Sequence, residues 1–363
     1  LLEVLARERS SSALVQAALG RAYLSRFNLT RDPRWVEAAS KACDRARTLL
    51  PESPEVNVTL GELFLRTGKA PDSVAAYQRA LAVQPNNFEA KVGLAHAYDA
   101  AGDVRRAEET YRSAIDLQPA YFGGYSKLAG FYFNHGQWEL AAGMFRKVTE
   151  LTPDNARAFA NLGACDFALG RFERALEAFQ KSVALEPTDL AYSNIGTAQY
   201  YLGRYRESAA AFEKALTLGP SHYENWANLG DALRRIPERE ARSSEAYEKA
   251  IALARAELST NPDDGQVHSY LALCLAKTGK TAEAEAHLRK SLGAGADRPE
   301  LLFNAAVVAN RAGNPDEALG YLARATRSGF NAAIVRNEPE LANLRKRDDF
   351  DDVVKGHPRE SSR

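Results

Sequence analysis

Six prolines in this chain fall on one beat. Pro51, Pro85, Pro119, Pro153 and Pro187 stand 34 residues apart, and Pro220 follows after 33. An aromatic side chain sits eight residues ahead of each of the last five, at Tyr77, Tyr111, Phe145, Phe179 and Phe212, and four residues before each aromatic is a small residue, at Ser73, Ala107, Ala141, Ala175 and Ser208. A globular domain has no reason to repeat itself at this interval. A stack of helical hairpins does, because one hairpin can bury its apolar face only against its neighbours.

Within one period the residue types follow a fixed order. In residues 156–189, Leu162-Gly163 lies on the first helix, Gly170 closes the turn, Ala175-x3-Phe179 lies on the second helix and Pro187 ends the unit. The next period has Ile195-Gly196, Gly203, Ser208-x3-Phe212 and Pro220, and Trp226-x2-Leu229-Gly230 opens the one after. This order resembles the tetratricopeptide repeat (TPR), written W-x2-L-G-x2-Y, then A-x3-F, then P. The resemblance runs from about Ala13 to about Phe330. It implies an all-α fold, a right-handed α-solenoid of eight to nine TPR helical hairpins with a C-terminal capping helix.

The pattern has physical reasons. Gly163 lacks a Cβ, so the second helix can approach the first closely, which outweighs a helix penalty of about 1 kcal/mol. Gly170 stands where the first helix must stop, in the left-handed conformation that glycine adopts freely. The repeating aromatic fills the space between hairpins, at about 1.5–3 kcal/mol per buried ring. Two periods are irregular. The first carries seven extra residues around Phe27–Trp35, where Asp32-Pro33 reads as a helix start. The sixth regular period carries seven extra within Leu253–Ser259, about two helical turns, which lengthen its second helix without disturbing the stack.

Three segments follow: 1–12 as a helical lead-in, 13–336 as the solenoid, and 337–363 as a C-terminal cap and tail. Met144 is the sole methionine, and the chain opens Leu1-Leu2-Glu3, which reads as a piece of a longer protein. Lys+Arg and Asp+Glu both number 47. A zero net charge argues against a nucleic-acid partner, which calls for a basic stripe. Charged residues, glycines and prolines interrupt every apolar stretch, so no membrane insertion is expected. Cys43, Cys165 and Cys274 sit at regular helical positions and read as reduced packing residues of a cytoplasmic protein. The six histidines show no metal-ligand spacing, and no nucleophile motif or phosphate loop is present. The expectation is no enzyme activity, no cofactor and no metal within these residues.

Function then falls to a surface. The TPR resemblance implies that the first helices line a concave face on which a protein or peptide partner binds. The twelfth position of successive first helices reads Leu65, Asp99, Phe133, Phe167, Tyr200 and Arg234. Three consecutive aromatics, with Asn134, Tyr201 and His96 beside them, suggest a groove for an extended peptide or a helix. The same rings could instead belong to the core. The sixth position carries Asn161, Asn194, Asn228 and Asn304. This is similar to the asparagine ladder of O-linked N-acetylglucosamine transferases, whose side-chain amides hold a peptide backbone, although Thr59, Gly93 and Lys127 interrupt it. The Lys/Asn clamp with which chaperone-binding TPRs hold a C-terminal carboxylate is absent from the fifth and ninth positions. The long first period, the long helix after Pro237 and the ending Arg336-Asn337-Glu338-Pro339-Glu340-Leu341 resemble C-terminal TPR arrays of bacterial eukaryote-like serine/threonine kinases and signalling regulators. The expected role is a partner-binding scaffold in a larger bacterial signalling protein. Two alternatives stand beside it: the substrate-recruiting arm of a transferase, and a homo-oligomerisation module.

Overall fold

The computed structural model describes Val4 and residues 11–355. Among these residues the chain is all α-helical apart from turns and three short 3-10 segments. Eight helical hairpins and two further helices follow in chain order: α1 (Ala13–Thr30) with α2 (Arg34–Leu49), α3 (Pro54–Arg66) with α4 (Ala70–Val83), α5 (Phe88–Ala100) with α6 (Val104–Leu117), then α7 (Phe122–Asn134) and α8 (Trp138–Leu151), then α9 (Ala156–Ala168) with α10 (Phe172–Leu185), α11 (Asp189–Tyr201) with α12 (Tyr205–Leu218), α13 (Tyr223–Arg234) with α14 (Glu240–Thr260), α15 (Gly265–Lys277) with α16 (Thr281–Ala294), and α17 (Pro299–Arg311) with α18 (Pro315–Arg327). Two short helices, α19 (Ala332–Asn337) and α20 (Phe350–Val354), close the described chain. The fold is an all-α solenoid of repeated hairpins.

Local chemistry sets the helix boundaries. Ser53, Asn87, Asn155 and Thr188 each accept a hydrogen bond from a backbone N–H of the first turn that follows, at a typical worth of about 1 kcal/mol per cap. The inter-helix turns at Gly68, Gly102, Gly136, Gly170, Gly203, Gly279 and Gly313 all have φ between +69° and +84°, as their position in the period predicts. The added residues of the first period lengthen α1 to 18 residues, and Trp35 at the start of α2 stacks on Tyr23 and under Arg26. Those of the later period lengthen α14 to 21 residues. That extension is packed: Ala254 is buried, and Leu253 and Leu258 lie against the core.

The chain divides into two units, Leu1–Asn134 with Glu150–Thr152, and His135–Thr149 with Pro153–Arg363. The same device builds both. In the first, the Tyr77 ring lies between two helices, so that a Cβ on Gly61 would stand 2.6 Å from it and one on Gly93 2.3 Å. In the second, Phe179, Phe212 and Tyr247 approach Gly163, Gly196 and Gly230 equally closely. Cys43 replaces the aromatic in the first period, with its Sγ pressed toward Gly20. Serine at the small site adds a hydrogen bond that alanine cannot make. Ser73, Ser208 and Ser243 donate across their hairpins to the carbonyls of Gly61, Gly196 and Gly230, at 2.7, 2.7 and 2.8 Å. All three cysteines are buried and free, and burial pushes each thiol up to about 12, which leaves them protonated and unreactive. Among the described residues no helix is long and apolar enough to cross a membrane, and no three His, Cys, Asp or Glu side chains converge as metal ligands.

Candidate functional site on the inner face of the second unit

In the second unit the first helices of successive hairpins touch one another, α11 on α13, α13 on α15 and α15 on α17, and so form one face. Their C-terminal ends carry the site. Counting from each helix start, the thirteenth residue is Ala168, Tyr201, Arg235, Lys277 and Arg311 in turn. Three consecutive cations here sit at helix C-termini, where the backbone carbonyls favour positive charge.

A strap of the chain's own C-terminal residues, 331–341, runs across this row. At one end Asn331 Nδ2 donates to the Ala168 carbonyl at 2.7 Å, a contact 163 residues long in sequence, while its Oδ1 caps α19 by accepting from Ala333 N. Ala333 then passes Gly170 so closely that a Cβ there would lie 3.3 Å from its own. Tyr201 donates its hydroxyl to Glu338 Oε2 at 2.9 Å. Arg235 and Arg311 hold the two oxygens of Glu340 at 2.9 and 3.0 Å, and Asn310 donates to the Glu340 carbonyl at 2.9 Å. Pro339 separates the two glutamates, which stand two residues apart, with Glu338 capping the 3-10 turn Pro339–Leu341 and Glu340 within it. Val335, Leu341 and Leu344 bury fully into the core of the last hairpins, and Phe330 stacks on Phe303 at 4.4 Å. The closing residues therefore do more than cover the end of the stack: they lie along its inner face.

The electrostatics of the two strap glutamates differ. Burial drives the Glu340 carboxyl upward, but Lys277, Arg235 and Arg311 overcome it and hold the group below the usual range. Glu338 is also buried and has Asp231 nearby, and here burial wins: its carboxyl is pushed up despite the Glu340 N–H, Lys277 and the Tyr201 hydroxyl. Lys277, with its side chain 3% exposed, pairs with Asp231, which also accepts from the Tyr247 hydroxyl at 2.6 Å. Burial opposes the Lys277 charge, and Asp231 with Glu340 outweighs burial.

The strap does not fill the face. Under it lies a cavity of about 350 Å³, with Tyr201, Asn228, Tyr270 and Asn304 on the helix side and Ile334 and Glu338 on the strap side.

The residues that sequence reasoning singled out are distributed as follows. Phe167, Tyr200, Tyr201 and Asn228 all line this cavity. Phe167 and Tyr201 are half-buried and belong to an aromatic cluster with Phe172 and Tyr200, with centroid separations of 5.2–5.6 Å. Tyr200 is buried and also packs edge-on against Tyr205, so it is as much core as groove. Asn161 and Asn194 are half-buried on α9 and α11 and lie off the cavity lining, while Asn304 donates to Ser269 at 3.0 Å. The asparagines thus form no continuous row at the cavity. In the first unit Phe133 and Asn134 are exposed at the end of α7, His96 is exposed on α5, and Asp99 is half-buried there. Arg235, Lys277, Arg311 and the whole strap were missed by sequence reasoning. The signal available was the thirteenth position, one residue beyond the series that was read, together with the opposite charge of Glu338-Pro339-Glu340.

Comparison with known proteins agrees with the repeat pattern. The profile of the tetratricopeptide repeat matches residues 58–122, 132–189, 194–238, 239–299 and 277–333. No curated protein matches the chain. Among solved structures, MamA is 25% identical over 46% of this chain and 97% of its own, with a TM-score of 0.41. A tetratricopeptide repeat protein from Parabacteroides merdae is 17% identical over 69% of this chain and 96% of its own, at 0.52. A chain of the APC/C hetero-tetramer Cut9-Hcn1 is 17% identical over 78% of this chain and 52% of its own, at 0.50. The last two show the same solenoid fold.

Proposed function

This chain belongs to the tetratricopeptide repeat family, and on that premise we propose that the inner face of its second unit binds a peptide or short helical segment of a partner polypeptide. The family and fold make it a protein-interaction scaffold in general terms. One observation carries the sharper reading: this face already holds a polypeptide segment, residues 331–341, a short helix and a 3-10 turn joined at Glu338, through side chains that grip both backbone and carboxylates. Phe167, Tyr201 and Asn228 supply the aromatic and amide surface beside it, the combination that captures peptides in other settings. Phe133, Asn134, His96 and Asp99 are the first unit's candidates for further contact. The role that fits this reading is a regulatory region of a larger bacterial signalling protein working in the cytoplasm.

The test is a random peptide library displayed on phage and selected on the immobilised full chain. The expected result is a family of peptides whose affinity falls about tenfold or more with Phe167→Ser or Tyr201→Ser, while circular dichroism stays native. Peptides that bind those variants as well as the parent would place the site elsewhere and defeat the proposal.

A further inference from the structure

We infer that the partner segment is acidic, carrying two carboxylates two residues apart and a bulky apolar side chain beside them, and that residues 331–341 are a resident occupant it displaces. This rests on the peptide-binding reading above and specifies its ligand. Three observations converge on it.

The first is the charge layout. Successive inner helices end in Arg235, Lys277 and Arg311, and two of these grip one carboxylate through both its oxygens while the third adds its field. Such a cluster is costly to leave unpaired, so the site demands an acid wherever it is filled. Tyr201 supplies a donor for a second carboxylate at Glu338. The second observation is imperfect fit. Glu338 is buried next to Asp231 with a tyrosine hydroxyl and one backbone N–H as its close donors, and no cation among the described residues forms an ion pair with it. The third is the cavity of about 350 Å³ that the strap leaves under itself, floored by Tyr201, Tyr270, Asn228 and Asn304. That volume is at the lower end of the range for small-ligand sites and suits one large side chain. A partner that reproduces the glutamate pair and also fills this space makes every contact the strap makes and more. Apolar anchoring of Val335, Leu341 and Leu344 keeps the strap in place until then.

The experiment uses the full chain and labelled synthetic peptides. One peptide has the sequence of residues 331–345, a second has glutamine in place of both glutamates, and a third places tryptophan at the position of Ile334. The receptors are the wild-type chain and two variants with a loosened strap, Glu340→Gln and Asn331→Ala; the latter strands no cation and serves if the former does not fold. Loosened variants are expected to bind the native peptide at least about tenfold more tightly than wild type does. The tryptophan peptide should bind more tightly still, and the glutamine peptide about tenfold or more weakly. Adding Arg311→Ala should remove the preference for glutamate. Equal binding of the glutamate and glutamine peptides overturns the acidic-partner inference and leaves the peptide-binding function intact. If no peptide of this series binds while the phage-selected peptides do, the strap is a fixed part of the fold and the inference fails alone. If the phage-selected peptides fail as well, the functional reading falls with it. Concentration-dependent dimers of a loosened variant that bind none of the peptides would show a second copy's strap as the true occupant, which also overturns the inference.

Discussion

The two units share a frame and differ at one position of it. At the thirteenth residue of its inner helices the first unit carries Ser25, Arg66, Ala100 and Asn134, and all four are exposed. The second unit carries Ala168, Tyr201, Arg235, Lys277 and Arg311, and none of the five is exposed. Both units use glycine turns and rings pressed against glycine, so neither device decides what the face does. What differs is a row of side chains that the hairpin architecture leaves free to vary, and in the second unit that row has an occupant. In a repeat fold the frame residues specify stacking, and function accumulates where stacking makes no demand.

The strongest way to break this comparison is to show that the frames are unequal. Tyr77→Ala in the first unit and Phe212→Ala in the second each empty an aromatic site pressed against glycine. Each should cost about 3–5 kcal/mol, the usual range for an emptied aromatic core position. The loss should be partly local, since repeats couple mainly to their neighbours. Thermal and denaturant melts of the two variants should shift by similar amounts. A large shift for one and none for the other would mean that the shared device bears weight in only one unit.

The next effect should separate the units. Glu340→Ala strands Arg235, Arg311 and Lys277 without their shared carboxylate. Its side chain is 9% exposed, while those of Arg235 and Arg311 are 30% and 21% exposed. Full burial of a broken pair costs about 3–5 kcal/mol, and partial access to water should bring this down to roughly 2–3 kcal/mol. Arg66→Ala, the matching position in the first unit, should change stability by less than about 0.5 kcal/mol, as an exposed substitution does. Hydrogen exchange should show lost protection in residues 331–341 for the first variant alone. Equal effects at Glu340 and Arg66 would erase the distinction drawn between the two faces.

This contrast also measures how much the sequence could reveal. The frame was legible because it repeats: Phe179 identifies itself through Tyr77, Tyr111, Phe145 and Phe212. The lengthening of α14 was legible because seven residues preserve helical phase, but the packing of Ala254, Leu253 and Leu258 against the core was not. The site was legible only in part. Phe167, Tyr201 and Asn228 were singled out because peptide-binding faces favour such residues, and they line the cavity, but Tyr200 shows that an aromatic on the same face can turn into the core. The strap escaped because its contacts are not periodic. Asn331 meets Ala168 across 163 residues, and no local pattern encodes such a pairing. Ser73 and Ser208 were read as small, and their hydroxyl bonds to glycine carbonyls were invisible until the hairpin geometry was known.

The smallest effect concerns pH, and it sharpens the comparison because the strap whose protection is measured lies on the second unit alone. Glu340 has its docked pKa depressed, chiefly by Lys277, Arg235 and Arg311 against the opposing effect of burial. Its support for the strap is therefore complete above the ordinary glutamate range, near 4.3, and is lost as pH falls through its lower docked value. Glu338 has its docked pKa raised by burial, with Asp231 adding to the shift and Tyr201, Lys277 and the Glu340 N–H opposing it. The linkage then runs the other way: docking is favoured while Glu338 is protonated and weakens as pH rises from its ordinary value through its raised one. Strap protection should pass through a maximum on the acid side of neutrality. Glu338→Gln imitates the protonated form and keeps an oxygen for the Tyr201 hydroxyl, so it should cost under about 1 kcal/mol and flatten the decline toward neutral pH. Glu340→Gln should instead remove the decline on the acid side. Hydrogen exchange in residues 331–341 measured between pH 4 and 8, after correction for intrinsic rates, separates the two. An unchanged pH profile in Glu338→Gln would show that this carboxylate is relieved by water and carries no strain in the docked strap.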